Sequence, residues 1–177
     1  IPAGGGCKEM LRRWSGDPQK KDDSTYVAMK VFNIIGYSLT MDSPSKSKNF
    51  KFLQNEDFMV MSRDRLIAEA DKKIGSILGS YSSPEQASFN LPGPSVMPAM
   101  IEKLQALYDA NKIKEHGMTV GKKLGFMLSG GNTDISKTLT EQYLLDLERE
   151  VFLDLIQMKQ TQDRIRHTLA TGKPLFN

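Results

Sequence analysis

Three consecutive glycines, Gly4, Gly5 and Gly6, stand directly before a segment with the apolar spacing of a short helix, Cys7 to Trp14. Backbone N–H groups at a helix start, together with the positive end of the helix dipole, can bind a phosphate group. Neither the P-loop spacing with its Lys-Ser/Thr pair nor the spaced glycines of a dinucleotide-binding fingerprint is present. The glycines therefore predict a tight turn that another segment approaches closely, and phosphate binding is the alternative.

Asp146, Glu150 and Asp154 follow one another at intervals of four residues in a long helical pattern. Carboxylates on one face of a helix can serve acid–base catalysis or hold a metal ion. With Arg149 among them, the row is more typical of a solvated face.

His116 and His167 lie on separate predicted helices, and neither has a second ligand at metal-binding spacing. No metal site is therefore predicted. Cys7 is the single cysteine, which excludes an intramolecular disulfide. Beside Lys8 at a helix start it could act as a nucleophile of lowered pKa, but no histidine partner is evident.

Gly121 and Gly125 form a GxxxG pattern with Lys122 and Lys123 between them. The lysines argue against a membrane helix, so the pattern predicts close packing of two helices in water.

The chain has 177 residues, of which 39% are hydrophobic and 25% charged, and its formal net charge is +3. The length predicts one domain with its own core. The charge is too weak to indicate nucleic acid as a partner. No apolar run approaches the roughly 20 residues of a membrane span, and no leader pattern is present, so no membrane span and a cytoplasmic location are expected.

Apolar periodicity predicts a mainly α fold, with about six or seven helices and at most one or two short strands. The predicted helices are 7–14, 24–39, 62–78, 96–110, 115–128, 138–158 and 161–170, with a short helical turn through residue 48. The one predicted strand is 58–61, and residues 80–95 are predicted to be a surface connection without an element.

Several ends and faces of these helices are also predicted. Ser62 and Ser95 are expected as N-caps, and Gly79 and Gly172 as left-handed C-caps. The helix at 62–78 should bury a stripe comprising Leu66, Ala70, Ile74, Ile77 and Leu78. The helix at 138–158 has a wider apolar face, which should contact partners on two sides.

Three segments carry a resemblance to the crotonase (enoyl-CoA hydratase/isomerase) family. IPAGGGCKEMLRR resembles the loop and helix that follow the family's second catalytic glutamate, and MSRDRLIAEADKK is similar to the helix after its last short strand. LLDLEREVFLDLIQMKQTQDRIRHTLATGKPLFN resembles the end of the variant fused behind a 3-hydroxyacyl-CoA dehydrogenase. The resemblance implies the C-terminal helical portion of a crotonase-type α/β fold. The chain would be a single incomplete domain, with residues 1–79 ending the crotonase-like core and 95–177 forming the C-terminal helical part.

The resemblance also implies what this portion lacks. The family's two glutamates, its oxyanion-binding amides and the dehydrogenase's nucleotide fingerprint with its histidine–glutamate pair would all precede the glycine turn. No catalytic residue and no cofactor are therefore assigned to this chain, which is expected to be inactive alone. The parent would be an enoyl-CoA hydratase and an NAD-dependent 3-hydroxyacyl-CoA dehydrogenase of fatty acid β-oxidation.

The partners implied are the upstream part of the same polypeptide, acyl-CoA and a second copy of the chain. Contacts with CoA are implied for Gly4–Gly6 and for the end of the chain, at Arg166, Lys173 and Phe176. A charged tail that only caps a helix is the alternative for the end of the chain. For the whole chain, the alternative is a self-contained helical interaction module with no catalytic role.

Overall fold

The computed structural model describes residues 4–16 and 23–177. Over these residues the chain forms eight α-helices and one two-stranded sheet. The prediction of a mainly helical fold is confirmed, although six or seven helices were predicted. The helices are α1 (Gly6–Ser15), α2 (Ser24–Gly36), α3 (Pro44–Asn49), α4 (Leu66–Ile77), α5 (Met97–Asp109), α6 (Glu115–Leu128), α7 (Glu141–Ile156) and α8 (Lys159–Thr171). The strands are β1 (Ser88–Asn90) and β2 (Thr138–Thr140), and 3-10 turns lie at Arg63–Arg65 and Gly93–Val96.

The chain divides into two compact units. The first contains the described residues up to Met41 together with Ala87–Asn177, and the second is Asp42–Gln86. That the whole chain is part of one larger domain, as the resemblance implies, stays a prediction.

The core of the first unit lies between α1, α2, α5, α6 and α7. Its most deeply buried apolar side chains are Leu11, Val27, Val31, Leu91, Met100, Met127, Leu128, Leu144 and Val151. Helix α7 contacts both α1 and α6, and it buries Leu144, Leu147, Val151 and Leu155 on one stripe. The prediction of a wide apolar face with partners on two sides is thereby confirmed.

Close approach of α5 and α6 depends on Gly121 and Gly125. A Cβ atom at Gly121 would lie 2.4 Å from Cδ2 of Leu104, and one at Gly125 would lie 3.0 Å from Sδ of Met100. The GxxxG pattern therefore serves helix packing, as predicted.

The prediction of a strand at 58–61 is wrong. No strand forms there, and Phe58, Met59 and Met61 are exposed. A strand needs a neighbour that satisfies its N–H and C=O groups. The sheet in the described part of the chain pairs only β1 with β2.

That sheet occupies two places where no strand was predicted. Strand β1 lies within 80–95, and β2 replaces the first three residues of the helix expected from Thr138. The strands are antiparallel, with Phe89 opposite Leu139, and both of these side chains are buried. The hydroxyl oxygen of Thr140 accepts a hydrogen bond from Tyr143 N at 3.1 Å and so caps α7. The helix therefore begins at Glu141.

Two of the four predicted caps, Ser95 and Gly79, are wrong, and Ser62 is the N-cap residue of the 3-10 turn that leads into α4. Ser95 donates its hydroxyl to the carbonyl of Pro92 at 2.7 Å, so Val96 is the N-cap residue of α5. The Ser62 side chain makes no capping bond, and Gly79 lacks a positive φ. Gly172 does cap α8 in the left-handed region, at φ 68°.

Helix α4 also differs from its prediction, because its apolar stripe is exposed. Leu66, Ile74 and Leu78 are 52%, 55% and 75% exposed, and the helix buries no residue. Periodicity predicts that a face is apolar, but a partner must be present to cover it.

None of the helices within residues 4–16 and 23–177 has the length and hydropathy of a membrane span.

Candidate functional site

A cavity of about 700 Å³ lies within the first unit, which is within the usual size range of ligand pockets. The end of α2, helices α5, α6 and α8, and the segment after α8 enclose it. We call it the basic cavity. Its apolar wall comprises Ile35, Leu104, Leu107, Ile113, Val120 and Leu124.

Four cationic side chains line the basic cavity, and within the described ranges 4–16 and 23–177 no aspartate or glutamate does. They are Lys103, Lys112, Lys114 and Arg164. The chain as a whole has 24 basic and 21 acidic residues, so the two charge types are segregated here. The three lysines are exposed, whereas Leu104 and Leu124 are buried. The cavity therefore combines a cationic outer part with an apolar interior. The cationic part attracts anions.

Arg164 holds one side of the cavity in place. Its Nε donates to Oδ1 of Asn177 at 2.7 Å, and its Nη2 donates to the Asn177 carbonyl oxygen at 3.2 Å. The Asn177 amide in turn donates to the carbonyl of Gln160 at 3.1 Å. These bonds fix the segment that presents Leu175 and Phe176 to the cavity.

The charge of Arg164 also acts on His116, which is buried. Burial lowers the pKa of His116, and the Arg164 guanidinium lowers it further. One ring nitrogen, Nε2, lies 2.8 Å from the Thr161 hydroxyl oxygen. The contact between His116 and Thr161 joins α6 to α8. No group of three or more potential metal ligands occurs in the described residues.

Asn33 lines the cavity, but its amide oxygen is shielded and has no hydrogen-bond partner among the described residues. A ligand in the cavity does not reach that oxygen without movement of the side chain. Asn33 is therefore not counted among the binding groups.

The residues for which the resemblance implied CoA contacts lie in different places. Phe176 lines the basic cavity. Arg166 pairs instead with Asp163 at 2.8 Å, and Lys173 is exposed outside the lining. Gly4–Gly6 lie at the start of α1 and do not line the cavity. Contact with CoA at these positions stays a prediction.

At the glycine turn, a protein carboxylate occupies the place that an external anion would take. Glu148 is 1% exposed, and its two carboxylate oxygens accept hydrogen bonds from Cys7 N and Lys8 N, each at 3.2 Å. Gly5 has φ 93°, and a Cβ there would lie 3.0 Å from Cδ2 of Leu145. The predicted close approach is therefore confirmed, with α7 as the approaching segment.

Sequence reasoning missed Glu148, although a signal was present. It lies four residues after Leu144 and three before Val151, so it belongs to the buried stripe of α7. The acidic row that was noticed is the solvated face, since Asp146 is exposed and Asp154 pairs with Lys123 at 2.5 Å.

Cys7 is fully buried. Burial raises the pKa of its thiol far above the usual value, and the neighbouring Glu148 raises it further. A thiol in this environment stays protonated, so the structure gives no support to a nucleophilic role.

The pH dependence of stability should include a contribution from Glu9. Hydrogen bonding from Arg12, which donates two bonds, is the largest cause that lowers the pKa of Glu9 from 4.5 to about 2, and Arg13 adds a third bond at 2.8 Å. Because the pKa is lower in the folded state, this stabilisation is complete above about pH 4.5 and is lost as the pH falls toward 2. The free energy of unfolding, measured in urea, should depend less on pH over that window in Glu9→Gln than in the parent chain. The exposed control Glu150→Gln should leave this dependence unchanged. If the free energy of unfolding changes equally with pH in Glu9→Gln and in the parent chain, Glu9 does not make this contribution.

The chain is similar to part of a 3-hydroxyacyl-CoA dehydrogenase. Over 178 aligned residues it is 29% identical to a protein of Bacillus subtilis (strain 168) described as "Probable 3-hydroxyacyl-CoA dehydrogenase". The alignment covers 100% of this chain and 22% of the relative, so the chain spans about a fifth of the length of the curated relative it matches. No model of a protein family and no solved structure matches the chain.

Proposed function

We propose that the chain is a portion of a fatty acid-metabolising enzyme of the 3-hydroxyacyl-CoA dehydrogenase type. The observation that carries this proposal is the similarity to the Bacillus subtilis relative along the whole length of the chain. A short shared motif would leave many classes of protein open. Agreement over 178 residues, including the helices that frame the basic cavity, favours a shared structure.

The finer part of the proposal follows the crotonase resemblance. In the parent, paired glutamates upstream of this portion add water to an enoyl-CoA, and an upstream nucleotide-binding part oxidises the 3-hydroxyacyl-CoA with NAD. The full protein is thus a β-oxidation enzyme with both lyase and oxidoreductase activities. We place it in the cytoplasm, with the upstream polypeptide and a second copy of the chain as its protein partners.

Within that enzyme, the role of this portion is structural and ligand-binding. The groups with catalytic potential that the structure describes already have other roles: Glu148 caps α1, Cys7 is a buried thiol and His116 joins two helices. A contribution to acyl-CoA binding in the assembled enzyme is proposed for Phe176, whose side chain is 68% exposed. Gly4–Gly6, Arg166 and Lys173 remain proposed contacts of the assembled enzyme.

Hydration of crotonyl-CoA tests this division of roles. The 177-residue chain alone should show no hydration above the uncatalysed rate, because the paired glutamates are proposed to lie upstream of it. The full-length protein from the same reading frame should hydrate crotonyl-CoA at an enzymic rate. Turnover by the isolated chain would contradict the proposal.

The alternative is a helical interaction module, and one observation favours it. The exposed stripe of α4, with Leu66, Ile74 and Leu78, is of the kind that partner proteins cover. The apolar face of α7 no longer supports this alternative, because it is buried within the first unit. The reading frame upstream of residue 1 discriminates between the two: a glycine-rich nucleotide fingerprint and paired glutamates favour the enzyme, and a start codon favours the module.

A further inference from the structure

We infer that the basic cavity binds a single aliphatic chain that carries an anionic group at its end, with a free fatty carboxylate as the occupant. This inference does not depend on the proposed function, since it stands on the cavity alone. It assigns the ligand class from two properties of the lining, namely the apolar wall and the unbalanced positive charge.

The apolar wall fits a hydrocarbon chain. Leu104 and Leu124 are 5% and 3% exposed, and the side chains of Leu107, Ile113 and Val120 are half-buried around them. Each CH₂ group that such a chain buries against this wall strengthens binding. A small polar anion would leave this surface unused.

The positive charge of the lining favours an anionic ligand. Lys103, Lys112 and Lys114 reach the cavity from α5 and from the α5–α6 connection, and Arg164 reaches it from α8. Among the residues that the structure describes, no aspartate or glutamate lines the cavity. Burial lowers the pKa of Arg164. An uncharged lipid would leave this charge unneutralised.

The size of the cavity favours a free carboxylate over a CoA thioester. A volume of about 700 Å³ is within the range that encloses a ligand of drug size. A nucleotide head with several phosphates would have to lie outside it. The carboxylate of a fatty acid instead places its charge beside the lysines, where charge-assisted hydrogen bonds are short and strong.

Calorimetric titration of the 177-residue chain with decanoate, 1-decanol, decanoyl-CoA and CoA tests the inference. Decanoate should bind, and its affinity should fall as salt is raised. Decanol should bind at least about tenfold more weakly, because an uncharged head group loses the charge-assisted hydrogen bonds. Binding of decanoyl-CoA without binding of decanoate, or equal affinities for decanoate and decanol, would overturn the inference.

Charge-reversal variants locate the site. Lys103→Glu and Lys112→Glu should each weaken decanoate binding by about threefold to tenfold, since each removes one attractive charge and adds a repulsive one. Lys122→Glu is the matched control, because it changes the net charge equally at an exposed position of α6 that does not line the cavity. Equal losses in all three variants would show a general charge effect and would overturn the assignment.

A space-filling variant tests the apolar wall independently. Leu107→Trp places a larger side chain at a half-buried position of the wall and should reduce decanoate affinity by at least about tenfold. Its helical circular dichroism and its urea midpoint establish that it is folded. Unchanged decanoate affinity in the folded variant would place the hydrocarbon chain elsewhere and overturn the inference.

Discussion

Glu148→Ala should lower the free energy of unfolding of the chain by about 3 kcal/mol or more. The variant leaves two backbone amides without an acceptor, that of buried Cys7 and that of partly buried Lys8, and an unsatisfied buried group costs about 1–3 kcal/mol. It also removes a negative charge from the positive end of α1. Urea unfolding followed by circular dichroism measures the loss.

Two further substitutions make this measurement specific. Glu150→Ala is the control, because Glu150 is on the same helix but exposed, and its effect should stay within about 0.5 kcal/mol. Glu148→Gln keeps one acceptor oxygen and should fall between the two. A loss below about 1 kcal/mol for Glu148→Ala would show that the carboxylate does not hold the α1 terminus.

Gly93→Ala should destabilise the chain severely, by more than about 3 kcal/mol. Gly93 has φ +62°, and an added Cβ would lie 2.1 Å from the backbone carbonyl oxygen of Thr133. The neighbouring atom belongs to the backbone, so no rotamer change relieves the clash. The amide of Gly93 also donates to the Ser129 carbonyl at 2.9 Å, which keeps the turn from moving away.

Thermal unfolding of Gly93→Ala beside Gly75→Ala provides the comparison. Gly75 lies inside α4 with open space where its Cβ would be, so alanine there should stabilise the helix by about 0.5–1 kcal/mol. The two substitutions should therefore change the melting temperature in opposite directions. A melting temperature of Gly93→Ala equal to that of the parent chain would contradict the described turn.

The long helices could be predicted because their signals are local. The repeat of Leu144, Leu147, Val151 and Leu155 is long enough to separate a helix from other structures, and Gly172 ends α8 by a conformation that glycine favours. The strands could not be predicted in this way. Each has three residues, and the partner of Phe89 is Leu139, fifty positions away in the sequence. Only tertiary packing selects such a pair.

The candidate site, too, could be predicted from the sequence only in part. Phe176 was implied by the resemblance, and it lines the cavity. The four cations lie on three separate segments with no common motif, so their convergence is a property of the folded chain. The exposed stripe of α4 is the opposite case, because periodicity predicted its apolar face correctly while burial depends on a partner.

NADH formation from 3-hydroxybutyryl-CoA tests the central claim, that this chain is a non-catalytic portion of a 3-hydroxyacyl-CoA dehydrogenase-type enzyme. The full-length protein from the same reading frame should reduce NAD⁺ with this substrate, and the 177-residue chain should not. Absence of NADH formation by the folded full-length protein, or its presence with the isolated chain, would contradict the account.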